Sequence, residues 1–131
     1  MSNANPTDIT LHRKSRRLEI SFDDGATFNL PCEYLRVYSP SAEVKGHGPG
    51  QEVLQVGKED VTIVSIRPVG NYGIAPTFSD GHDTGIYTWA FLYDLGEHRD
   101  TYWENYLKRL GAAGHERKEA VSHATSPPTK T

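Results

Sequence analysis

Asp80, His82 and Asp83 stand together at one turn, two carboxylates and an imidazole of the kind that hard or borderline metal ions accept. A turn capped by its own Asp side chains uses the same residue types and holds no metal. His47, between Gly46 and Gly48 in the loop from Lys45 to Gly50, is presented so that it can approach a ligand closely, although a flexible connector is built from the same glycines. Cys32 is the only cysteine. Beside a helix start its thiol can be activated, but a buried small hydrophobe is the commoner role for such a residue. A lone cysteine excludes an internal disulfide and a cysteine-built zinc or iron–sulfur site within one chain. His98-Arg99-Asp100 has the H-x-D form of an iron-binding facial triad, yet the later histidines, His115 and His123, fall in a polar tail. Gly57-Lys58 ends like a phosphate-binding loop, but Glu59 stands where Ser or Thr should ligate magnesium and Glu52 where the first Gly should be. No complete set of nucleophile, base and orienting group is visible.

These residues need a scaffold, and the chain limits its size. With 131 residues, 36% hydrophobic and 24% charged, a single domain is expected, without room for separate catalytic and recognition domains. A net charge of −3 supplies no general attraction to nucleic acid or anionic lipid. No apolar run approaches the roughly 20 residues that span a bilayer, and the polar first residues are unlike a signal peptide, so a cytoplasmic protein is expected. Arg13-Lys14-Ser15-Arg16-Arg17 is basic but lacks interleaved aromatics, and reads as an exposed turn rather than a nucleic-acid patch.

Period-two alternation marks three early strands, through Ile9 and Leu11, then Leu18, Ile20 and Phe22, then Phe28 and Leu30. Asp23-Asp24-Gly25 predicts a tight hairpin between the second and third. Pro31 followed by Cys32 to Val37 predicts a short helix with Pro at its first turn, limited by Pro40. Strands are expected again over Val61 to Val69 and Tyr72 to Phe78, with Pro76 placing the latter at an edge or a bulge. Trp103, Leu107 and Leu110 fall at i, i+4 and i+7, predicting a helix from about Arg99 to Leu110. Seven of the 13 aromatics lie between Tyr87 and Tyr106, with Trp89 and Trp103 expected in the core.

Tyr87 to Tyr93 fits a strand and a helix equally well. An internal echo decides it. Phe22-Asp23-Asp24-Gly25 and Phe78-Ser79-Asp80-Gly81 have the same spacing, and the first leads through a strand into a helix. Extending that order to the second predicts a short strand and then a helix over Tyr87 to Leu95.

The segment from Leu30 to Val44, Gly46-His47-Gly48, and Asp80-Gly81-His82-Asp83-Thr84-Gly85-Ile86-Tyr87 with Trp89 together resemble the DUF971 family, the gamma-butyrobetaine hydroxylase-like N-terminal domain. The likeness runs from about Ile9 to Leu110. It implies a small mixed α and β module, found alone in bacteria, at the N-terminus of the 2-oxoglutarate oxygenases of carnitine synthesis, and fused to ATP-binding iron–sulfur carriers. Hydroxylase chemistry in those enzymes belongs to a separate C-terminal barrel, for which this chain has no length. The resemblance also implies a zinc site of three cysteines and one histidine. The histidine falls on His82, but the cysteine positions, in Val37 to Ala42 and just beyond, hold Tyr38, Ser39, Pro40 and Ser41. His82 is therefore expected as a hydrogen-bonding turn residue, with no cofactor.

The expectation is an α+β single domain over residues 9–110, made of antiparallel hairpins, a short helix after the third strand and a C-terminal helical segment, between disordered tails at 1–8 and 111–131. Its expected role is a non-enzymatic binding or accessory module with a protein partner, monomeric or weakly dimeric. Tyr38, Lys45, His47, Asp80, His82 and Asp83 are its candidate surface. Accessory work in iron–sulfur or other metal handling, with Cys32 in a shared site or His82 as a metal ligand, is the alternative. A small enzyme around His47, His82 and Asp83 is a third reading.

Overall fold

The computed structural model describes residues 4–46 and 53–117. His47 therefore lies outside the described residues. The elements in chain order are β1 (Pro6–His12), β2 (Arg17–Phe22), β3 (Thr27–Pro31), α1 (Cys32–Val37), α2 (Ala42–Lys45), β4 (Ile63–Val69), β5 (Gly73–Phe78), β6 (Tyr87–Thr88), α3 (Trp89–Glu97) and α4 (Arg99–Ala112). They form two three-stranded antiparallel sheets, β1-β2-β3 and β4-β5-β6, with the longer helices at the end, so the α+β expectation holds. Among the described residues no helix is long and apolar enough to cross a membrane.

Alternation dictates the first sheet. Leu18, Ile20 and Phe22 turn to one face of β2 and are buried, and the hairpin register sets Ile20 opposite Phe28 and Leu18 opposite Leu30. These side chains join Leu35, Ile63, Phe78, Leu92 and Leu95 in one core that unites both sheets. Full burial of each aliphatic side chain stabilises by about 2 kcal/mol. Trp89 and Trp103 pack against that core while staying partly exposed.

The echo between the halves extends to individual hydrogen bonds. Gly25 and Gly81 both have left-handed φ, 93° and 91°. Gly25 N–H donates to Phe22 O, and Gly81 N–H to Phe78 O. Phe22 N–H donates to Ala26 O, as Phe78 N–H does to His82 O. Asp24 Oδ1 accepts from Ala26 N–H and Asp80 Oδ1 from His82 N–H. Each turn closes under a buried Phe, and each half proceeds through a strand into a helix. Thr88 caps α3 by accepting from Phe91 N–H.

Several boundaries differ from expectation for identifiable reasons. β1 starts at Pro6 rather than near Ile9, because Pro6 pairs with Phe22 and Asn5 O accepts from Asp23 N–H. Pro31 stands at the N-cap of α1, one position ahead of the expected first turn. α2, which no periodicity announces, forms because Ser41 Oγ accepts from Glu43 N–H. β5 is the middle strand of its sheet, yet Pro76 is tolerated because β6 pairs only with Gly73 and Ile74.

The described chain also continues past the domain boundary expected at Gly111. α4 runs to Ala112 and ends in a Schellman turn, with Gly114 at φ 81°, His115 N–H donating to Leu110 O and Gly114 N–H to Gly111 O.

Candidate functional site

The turn after β5 and the segment after α1 meet at His82. Its imidazole is almost wholly buried, with Nε2 2.9 Å from Ser39 Oγ and Nδ1 3.1 Å from Glu43 Oε1. Burial first, and then the Arg36 charge, lower the His82 pKa against the opposing pull of Glu43 and Asp80. The ring is thus held neutral at ordinary pH. A carboxylate can only accept, so Nδ1–H donates to Glu43 and Nε2 accepts the Ser39 hydroxyl proton. Ser39 Oγ in turn accepts from Ser41 N–H, and the Ser41 and Thr84 hydroxyls lie 2.6 Å apart. Two loops are therefore fastened by a polar network centred on the His82 ring, both of whose nitrogens are paired.

Asp80 anchors the other side of the turn. Its Oδ2 accepts from Arg36 Nε at 2.9 Å and from Lys58 Nζ at 2.7 Å. Burial raises its pKa most, but hydrogen bonds from Lys58, His82 N–H and Arg36 outweigh it and hold the carboxyl at about 2. Arg36 is buried on α1, and its Nη1 has no hydrogen-bond partner among the described residues.

Of the residues singled out from sequence, His82 and Asp80 belong to this network, while Asp83 and Lys45 lie exposed on its rim. Lys45 Nζ stands over the Phe91 ring at 5.5 Å. Tyr38 points its hydroxyl to Tyr102 O instead, tying the end of α1 to α4. His98 bonds to Asp94, four residues back, rather than working with Asp100. Sequence reading misses Ser39, Glu43, Arg36 and Lys58 as members. Ser39 and Ser41 stand out only as occupants of expected cysteine positions, whereas Arg36 and Lys58 carry no local signal of pairing with a residue so far along the chain.

Ser39, His82 and Glu43 are ordered as in a hydrolytic triad, with the hydroxyl on Nε2 and the carboxylate on Nδ1. Access separates them from one. Ser39 is 1% exposed, and the Gly85 backbone packs so closely that a Cβ there would lie 2.5 Å from its Oγ. A zinc centre does not fit either. Hydroxyls replace thiolates beside His82, both imidazole nitrogens are engaged, and among the described residues no group of three His, Cys, Asp or Glu side chains could hold a metal ion. Cys32 is buried elsewhere, its Sγ 4.0 Å from Thr62 Oγ1, and burial pushes its thiol pKa up.

Fold and site together define a small α+β module whose two hairpin turns are equivalent and whose second turn is pinned to the segment after α1. The sequence model for gamma-butyrobetaine hydroxylase-like, N-terminal, matches residues 9–93, and the chain belongs to that family. A protein known from a solution NMR structure is 52% identical, with a TM-score of 0.78 over 98% of this chain and 96% of that one. A second NMR structure is 43% identical, with a TM-score of 0.76 over 90% and 94%. A crystal structure of a DUF971 family protein with unknown function from Acidithiobacillus ferrooxidans is 39% identical, with a TM-score of 0.60 over 70% and 92%. No curated protein matches.

Proposed function

We propose that this chain is a non-enzymatic protein-binding module that recognises a polypeptide partner through the face formed by α2 and the Asp80–Ile86 loop. The observation that supports this reading most is the pinning of both loops by His82. A network that buries its own hydroxyl and imidazole is poorly placed for chemistry but holds the surrounding surface in one conformation, which lowers the ordering cost of binding. The exposed residues of that surface include Glu43, Lys45, Asp83, Thr84 and Ile86, the last 44% exposed. Exposed charged groups together with an exposed apolar side chain suit a transient protein interface more than a small-molecule pocket.

The metal-handling alternative draws no support from Cys32, a buried thiol of raised pKa with a hydroxyl for its neighbour. A photo-crosslinking residue placed at Ile86 or Asp83 in the native host tests the binding reading, with Thr10 on β1 as the control position. A discrete adduct common to Ile86 and Asp83 and missing from Thr10 is expected. Identical patterns at all three positions would refute the assignment of this face.

A further inference from the structure

A second charged site lies away from the His82 network, where the chain returns from α4 to α1. Glu33, in the first turn of α1, is buried, its side chain 8% exposed. Among the described residues its carboxylate has one hydrogen-bonding partner, Arg117, which donates from Nε at 2.8 Å and again from Nη2. The same guanidinium stands 5.4 Å over the Trp103 ring. Tyr106 adjoins them; burial first, and then the charges of Glu33 and Glu59, push its hydroxyl up to about 12. A planar fork meeting a carboxylate edge-on while stacking on an indole is the arrangement that distinguishes arginine from lysine.

The occupant is held differently from the slot. Glu33, Trp103 and Tyr106 stand on helices packed into the core, whereas residues 113–117 are all exposed apart from the grip on Arg117. The Schellman turn at Gly114 aims this segment toward α1. A buried carboxylate without a counter-ion is strongly disfavoured, so Arg117 is far more easily exchanged for another guanidinium than simply released.

We propose that Glu33, Trp103 and Tyr106 form a guanidinium-binding slot, filled in this chain by its own Arg117, and that an arginine side chain of a partner polypeptide takes Arg117's place. The slot shares no residue with the face around His82, so each reading can fail alone.

The test is NMR titration of the full chain with acetyl-L-arginine amide, using the Trp103 indole N–H as reporter and acetyl-L-lysine amide as the control. Arg117→Ala should bind the arginine probe saturably, at least ~10-fold more tightly than the lysine probe. The unaltered chain should need ~10-fold or more higher probe concentration, because the tethered Arg117 competes at an effective concentration in the millimolar range. Adding Glu33→Gln to Arg117→Ala should abolish the response. If Arg117→Ala loses spectral dispersion, Arg117→Lys keeps the charge without the fork, and the arginine probe should displace its lysine. No saturable shift at Trp103 in a folded Arg117 variant, or an equal shift when Glu33 is also changed, overturns the proposal and leaves Arg117 a structural pin.

Discussion

Ser39 Oγ and His82 Nε2, contributed by segments 43 residues apart, lie 2.9 Å from each other in the interior. Their hydrogen bond joins the two halves of the molecule on the side where the candidate surface lies. Replacing His82 with Ala strands the Ser39 hydroxyl and loosens Glu43, so a loss of about 1–3 kcal/mol is expected in urea unfolding. Ser39→Ala removes the smaller partner and should cost about 1 kcal/mol. A negligible change for both would show that the two loops are held by other contacts.

Gly85→Ala probes the same joint without removing a polar group. Its new methyl would sit 2.5 Å from Ser39 Oγ and 3.2 Å from the Pro40 ring. Neither the hydrogen-bonded serine hydroxyl nor the proline ring can yield far, so the variant should lose about 1–3 kcal/mol, read as a lowered thermal midpoint.

The pH dependence of stability should carry the signature of His82. Its folded pKa lies below the ordinary 6.5, lowered chiefly by burial and by Arg36, with Glu43 and Asp80 pulling upward. The unfolded chain therefore binds the proton more readily. The contribution of His82 is fully present above about pH 6.5 and is lost as the pH falls through its folded value. Asp80, held at about 2, keeps its contribution until far more acid conditions. Thermal midpoints of the unaltered chain and His82→Gln, measured from pH 8 to 5, should converge as the pH drops below about 6.5. A constant gap would argue against a buried neutral imidazole.

Gly96→Ala tests the seam between α3 and the first sheet. A Cβ there would fall within 2.3 Å of the Phe28 ring, which also makes edge contacts with Phe22 and Tyr93. The ring has little freedom to move aside, and a loss of about 1–3 kcal/mol is expected by calorimetry.

Gly114→Ala acts on the return segment. With φ at 81°, alanine would strain the Schellman turn by about 1 kcal/mol and weaken the delivery of Arg117 to Glu33. Amide exchange should quicken at His115 while the core amides stay protected; unchanged exchange there would show that the turn does not govern the segment.

Much of the fold is legible in the sequence because local chemistry decides it. The Asp-Gly pair specifies the β2–β3 turn, Pro31 the start of α1, and the i, i+4, i+7 stripe the body of α4. The ambiguity at Tyr87 yields to the likeness between Phe22-Gly25 and Phe78-Gly81, and the two turns share their hydrogen bonds. Features that rest on distant pairing stay hidden. Pro6 is drawn into β1 by Phe22, and Arg117 is held by Glu33, neither of which leaves a periodic trace. The site follows the same division. His82 and Asp80 declare themselves by residue type, whereas Ser39, Glu43, Arg36 and Lys58 acquire meaning only when folding brings them to that turn.

His82 is a neutral, doubly bonded pin beneath the proposed binding face, and nitrogen-15 NMR of its imidazole tests that most directly. The expected spectrum is a single neutral tautomer with the proton on Nδ1, persisting below pH 6.5, changed at Nε2 by Ser39→Ala and unmoved by added zinc. An imidazole that titrates freely near 6.5, ignores Ser39→Ala or shifts on binding zinc would contradict it.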